Sequence, residues 1–263
     1  MNEQGPDYSK CWANCLGDCD GGMSREHIVS KCLYGENVKV KGFPWCKDEW
    51  AYRSIDNVTS KVLCRRHNSA LSPLDDAACD TLETIGQAFD LWHVRSKYLS
   101  RSWTVSHFRT NMLLLERWCL KTLINVNLNL KPGWPIDGDS PTPTDELVGI
   151  AFGKEKFKPP MGLYVWVSDE PEQSTVNLME GEITVQTETS NNRLSGASFD
   201  MWGMKFLLNL HPEERTAKNG GRLMGRGGMD CNFRTYDDKR RLVLSHVLKF
   251  AYDHRSSNGS RSA

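Results

Sequence analysis

Three groups of residues in the first quarter of the chain have types and spacing that could do chemistry. Cys11 and Cys15 stand with three residues between them, Ser24-Arg25-Glu26-His27-Ile28 sets one histidine in a short extended segment, and Cys64 is followed by His67 and Asn68. Two clusters of soft ligands therefore flank one imidazole. A structural zinc takes four Cys or His ligands in a tetrahedron, delivered as two close pairs on separate turns, and Cys64/His67 has the usual reach of such a pair. For the first pair, Cys15/Cys19 repeats the spacing of Cys11/Cys15, so spacing alone does not separate them. Cys11/Cys15 is favoured because Leu16-Gly17-Asp18 reads as the turn of a knuckle leading into a strand, and Cys19 stays as the alternative ligand.

The other cysteines fit this picture. Nine in a chain of 263 residues is an odd count, and no secretion signal precedes them, so reduced thiols or a metal site fit better than a disulfide framework. Cys79, Cys119 and Cys231 read as small buried hydrophobes. Lys plus Arg equal Asp plus Glu at 33 each, so no net field steers the whole molecule toward nucleic acid or an anionic membrane. No run approaches the roughly eighteen apolar residues of a membrane helix. The expectation is a cytoplasmic protein with no membrane partner.

The elements that must position these groups follow from composition and periodicity. Residues 1–80 read as a small metal-held module with short extended patches. Ser72-Pro73 with Asp75 and Asp76 reads as a helix start, running to about Tyr98, and a second helix is expected over 105–126, where Met112, Leu115, Cys119 and Leu123 recur beside Trp118. Its Trp118 and Leu120 are expected in the core. Residues 81–130 thus form a helical segment and 131–145 a Pro-rich loop. An α+β domain follows over 146–255, with strands at 148–152, 162–167, 175–179, 183–189, 231–236 and 241–250 and a turn at Glu180-Gly181. The apolar stretch 199–210 is read as helix, 219–228 as a flexible loop, and 256–263 as a disordered tail. The fold class is α+β, mostly antiparallel.

At the residues themselves, the segment 24–30 followed by Leu63-Cys64 through Asp75 resembles the zinc-bearing bacterial members of the HNH endonuclease superfamily, over about Cys11 to Asp75. The resemblance implies a ββα-metal (treble-clef) module and hydrolysis of phosphodiester bonds in DNA, in a bacterial defence or mobile-element setting. It puts His27 at the general-base position, where an imidazole suits the task because it titrates near neutrality. It gives Asn68 the role of helping hold a divalent ion, Mg2+ or Mn2+, distinct from the zinc held by Cys11, Cys15, Cys64 and His67. Glu26 could add a carboxylate to that ion or face away from it, since neighbouring strand residues point to opposite sides. Two departures stand out: His67 replaces the usual Cys, and the middle Asn of the motif has Asn57 as its best counterpart.

Charge is unevenly placed. Between His93 and Lys131 there are seven Lys or Arg and one acid, and residues 132–190 carry eleven acids against three Lys. The basic stretch, with Arg95, Arg101 and Arg109, is a candidate phosphate-binding surface, although pairing with the acidic strands of the same chain explains it as well. Three functions follow: an HNH-type nuclease acting on nucleic acid, a non-catalytic zinc-held module binding nucleic acid or a protein partner, and a thiol-redox protein.

Overall fold

The computed structural model describes residues 7–46, 49–97, 106–130, 133–136, 140–167, 182–187, 193–201, 204–210, 222–224, 229–236 and 242–251. The chain is mixed α+β with largely antiparallel sheets. Near the N-terminus, β1 (Met23–His27) pairs antiparallel with β4 (Thr59–Cys64), and between them lie α1 (Lys31–Tyr34) and a hairpin of β2 (Asn37–Val40) and β3 (Ala51–Ser54). β4 runs directly into α2 (Arg65–Lys97), so the Cys64/His67 pair sits at a strand-to-helix junction.

The first helix therefore starts before Ser72, and Pro73 lies inside it. Proline lacks the N–H that would bond back into the helix, which is why it reads as a start in sequence. The α2 register is instead set upstream, where Arg65 N–H donates to Gly22 O at 2.8 Å and His67 N–H donates to Cys64 Sγ at 3.4 Å.

The second helix, α3 (Met112–Asn129), begins later than 105 and is capped by Asn111, whose Oδ1 accepts from Leu113 N–H at 3.1 Å and Leu114 N–H at 3.3 Å. Just before it, β5 (His107–Asn111) pairs in parallel with the last strand, β12 (Leu242–Ala251). Met112, Leu115, Trp118, Cys119, Leu120 and Leu123 are all buried, as their spacing implies. So are Glu116, Lys121, Asn125 and Asn127, because α3 is enclosed on every side rather than amphipathic.

Residues 148–152 are not a strand. They fall in and just after α4 (Asp145–Ala151), whose N-cap Thr144 accepts from Leu147 N–H through Oγ1 at 3.3 Å, with Asp145 and Glu146 in the first turn. Residues 199–210 are not a helix either. They form the end of β8 (Leu194–Met201) and all of β9 (Met204–Asn209), paired with Phe199 opposite Phe206. β6 (Gly162–Val167) and β7 (Glu182–Thr187) flank them, and the sheet order is β10-β6-β9-β8-β7, with β10 (Arg222–Met224) inside the stretch read as a loop. β11 (Met229–Tyr236) covers the strand expected at 231–236 and pairs antiparallel with β12, which covers the one expected at 241–250. The 175–179 strand, its turn at Glu180-Gly181 and the tail 256–263 lie outside the described residues.

One apolar core runs from Cys11 and Trp12 through Leu71 and Ile85 of α2 and Trp118 of α3 to Phe199, Phe206 and Leu208 of the sheet. A smaller cluster under the β2–β3 hairpin gathers Ile28, Val38, Phe43, Ile55 and Val58. Cys32 and Cys79 are joined by a disulfide that ties α1 to α2, a correction to the expectation of reduced thiols.

Candidate metal centre and the His27 edge

The thiols of Cys11, Cys19 and Cys64 and a ring nitrogen of His67 lie within 4.8 Å of one another. His67 Nδ1 is 3.3 Å from Cys11 Sγ, 3.6 Å from Cys19 Sγ and 3.2 Å from Cys64 Sγ. Zinc bonds of about 2.3 Å to sulfur and about 2.0–2.1 Å to nitrogen in a tetrahedron put sulfur and nitrogen roughly 3.5 Å apart. The donor set and its dimensions therefore fit a tetrahedral zinc.

Cys19, not Cys15, completes the set. The segment after Cys11 winds as a 3-10 turn, with Asn14 N–H donating to Cys11 O at 2.9 Å and Leu16 N–H to Ala13 O at 3.1 Å. At about three residues per turn, a residue four positions on lies roughly a third of a turn out of line. Cys15 accordingly faces away and is exposed, meeting Asp145. Gly17, at φ 75°, then reverses the chain and returns Cys19 to the cluster.

The three thiols also act on one another. Burial pushes the Cys19 thiol up to about 12, reinforced by Cys11 and Cys64, because a second negative sulfur beside the first is disfavoured. Burial likewise raises Cys11. At Cys64 burial raises the thiol too, but backbone N–H donors at His67 and Asp20, together with the neighbouring Cys19 and Cys11 thiols, outweigh it and leave it lowered. Three sulfurs in this space hold their charge together only around a cation. The far side of the ring is fixed as well: His67 Nε2 lies 2.8 Å from Asp18 Oδ1, and Arg66 Nε donates to Asp18 Oδ2 at 3.0 Å. A carboxylate behind a ligating imidazole selects its tautomer and raises its basicity.

His27 ends β1 on the exposed side, with its side chain 43% exposed and Nε2 3.8 Å from Asp56 Oδ1. Lys31 Nζ is 3.2 Å from the same oxygen. Asp56 stands one residue before Asn57, in the short turn Ile55–Asn57 that leads into β4, so the carboxylate beside the imidazole comes from Asp56. Asn57 is exposed in that turn.

Glu26 points to the opposite face of β1 and is buried. Its Oε1 is 2.6 Å from Lys121 Nζ, which also donates to Asp75 Oδ2 at 2.6 Å. Trp118 Nε1 donates to Ser30 Oγ at 2.8 Å and to Asp75 Oδ1 at 3.2 Å, and Ser30 Oγ donates to the same Asp75 oxygen. The Glu26 carboxylate is therefore taken by a core lysine, a correction to its reading as a ligand beside His27. Asn68 donates from Nδ2 to Ser24 Oγ at 3.0 Å, which ties it to the start of β1 while His27 closes the other end.

Among the described residues, no second group of three His, Cys or carboxylate ligands gathers at one point. Arg109 is exposed on β5, opposite Lys249 of β12; Arg101 lies outside the described residues, as does the side chain of Arg95 in α2. No helix among the described residues is long and apolar enough to cross a membrane.

The positions missed in sequence are Asp18, Asp56 and Lys121. Asp18 and Asp56 carry only the generic sign of an acid in a turn, and the Lys121 partnership joins segments far apart in the chain. No family model, curated protein or solved structure matches the chain.

Proposed function

We propose that this protein is an HNH-type, metal-dependent endonuclease built on a zinc-stapled, treble-clef ββα module. The supporting observation is the exposed His27 imidazole, set at the end of β1 beside the Asp56 carboxylate while the Cys11/Cys19/Cys64/His67 set fastens the β1–β4–α2 frame. In this reading His27 takes a proton from the attacking water, and Asp56 orients the ring. Mg2+ or Mn2+, when bound, neutralises charge on the scissile phosphate; such ions need only one or two protein oxygens, with water and phosphate filling the rest. Asp56 offers oxygens at the His27 edge, whereas Asn68 is tied through Ser24 to the other end of β1 and stands apart from that edge, a correction to its reading as a partner of His27. DNA is the proposed substrate, in a bacterial defence or mobile-element setting.

A second reading is a non-catalytic zinc-held module that binds nucleic acid or a protein. It is favoured by the pairing of Glu26 with Lys121, which removes one carboxylate from the His27 edge. Purified protein incubated with plasmid DNA and Mg2+ or Mn2+ separates the two. Nicking that is lost in His27→Ala at unchanged zinc content supports the nuclease, and intact plasmid under every metal and pH condition refutes it.

A further inference from the structure

We infer that the outward face of the β2–β3 hairpin is a stacking platform for single-stranded nucleic acid. β2 and β3 pair with Lys39 opposite Tyr52 and Val40 opposite Ala51. Alternate residues of a strand share a face. Val38 and Val40 turn inward to the small core with Ile55, which leaves Lys39, Lys41, Trp50 and Tyr52 on the other side.

Large rings ordinarily bury themselves, yet Trp50 is 59% and Tyr52 70% exposed. Cations lie close over both rings. Lys39 Nζ lies 5.0 Å from the Trp50 ring centre and 5.7 Å from that of Tyr52, and Lys41 Nζ lies 5.9 Å from Trp50. Arg53, opposite Val38, belongs to the other face of the hairpin, where its guanidinium lies 5.1 Å from the Trp45 ring stacked on Phe43 of the small core, so that pair is separate from the platform.

Among the described residues between 37 and 54, Lys39 and Lys41 are the cations of this face, and Glu49 is the acid of the segment. Exposed rings interleaved with cations match a ligand that offers flat faces and negative charge together. Unpaired bases on a phosphate backbone are that ligand, whereas a duplex hides its base faces in the stack.

The location adds to the case. Ile55 N–H donates to Glu36 O at 2.9 Å, closing the hairpin next to Asp56 and therefore next to His27. The inference deepens the nuclease reading by naming the form of nucleic acid that the His27 edge would meet, and to that extent rests on it.

The test is binding of a labelled oligothymidylate of roughly sixteen nucleotides, the upper range for one such platform, to the full chain and to His27→Ala. Fluorescence anisotropy is followed together with tryptophan quenching. We expect salt-sensitive binding, weaker binding to a duplex of equal length, and affinity reduced about tenfold or more by Trp50→Ala and by Tyr52→Ala, with Trp50→Phe largely retained. Unchanged zinc content certifies the fold of each variant. Equal affinity across the variants, a preference for duplex, or no binding overturns the inference. So does concentration-dependent self-association that Trp50→Ala abolishes without any oligonucleotide binding, which would make this face an interface between copies. Intact binding by a chain that cuts nothing refutes the nuclease reading alone; cleavage undisturbed by Trp50→Ala and Tyr52→Ala refutes the platform alone.

Discussion

The His67 ring is held from both sides, with Nδ1 turned to three thiols and Nε2 2.8 Å from Asp18 Oδ1. Removing the carboxylate while keeping every ligand should therefore weaken the metal without abolishing it. Asp18→Ala is expected to lower zinc affinity roughly ten- to a hundredfold. Competition with a chromophoric chelator measures this, and an unchanged affinity would mean that Asp18 is a surface acid with no hold on the ring.

Cys19→Ser and Cys15→Ser distinguish the two knuckle cysteines. Cys19→Ser should lose stoichiometric zinc and with it much of the folding free energy of the N-terminal segment, whereas Cys15→Ser should retain both. Elemental analysis alongside thermal melting reads the difference; equal zinc in the two variants would contradict the 3-10 winding described for residues 14–16.

That winding also shows what the sequence could and could not disclose. Cys64 and His67 were legible from pair spacing, but the first pair is Cys11/Cys19, with seven residues between, rather than either of the two closer pairs, because the chain turns at three residues per turn and reverses at Gly17. The α3 core positions were legible because their period is helical. The stretch 199–210 was not, because strands buried on both faces show no alternation, and a continuous apolar run suits either element. At 148–152 the apolar run outweighed the Thr144 cap and the acids that follow it, which are themselves a helix start. The Glu26–Lys121 pair was beyond reach because nothing local in either segment requires it.

Lys121 is only 2% exposed, between Glu26 and Asp75. Truncating it strands buried carboxylate charge, so Lys121→Ala should cost about 3–5 kcal/mol in chemical denaturation. Lys121→Met combined with Glu26→Gln should recover a large part of that loss. A cost below about 1 kcal/mol for Lys121→Ala would show that water reaches the pair.

The same pair sets a pH dependence. Burial raises the Glu26 carboxyl above its ordinary value, against the pull of Lys121. A raised folded-state value means that the folded protein binds this proton more readily than the unfolded chain. Glu26's contribution to stability is thus full below about pH 4.5, its unfolded range, and is lost as pH rises through the folded value. Glu26→Gln should flatten stability against pH in that window, measured by denaturant midpoints from pH 4 upward; a parallel curve would place the dependence elsewhere.

If the nuclease reading holds, His27→Ala should lower the cleavage rate about a hundred- to ten-thousandfold. Asp56→Asn should lower it less, since Asp56 orients the imidazole. An unchanged rate would leave Asp56 as a partner of Lys31 only.

The ring of His67 also meets Phe152 edge-on at 5.2 Å, and Trp12 meets the same ring at 5.9 Å while donating from Nε1 to Asn125 Oδ1 at 3.1 Å. The Cys/His knuckle is thereby wedged against the end of α4 and the last turns of α3. Losing a metal held at this cluster would undo more than a local turn: it would free the aromatic keystone where the first third of the chain leans on its middle. A fragment cut after the knuckle would bare that keystone to water.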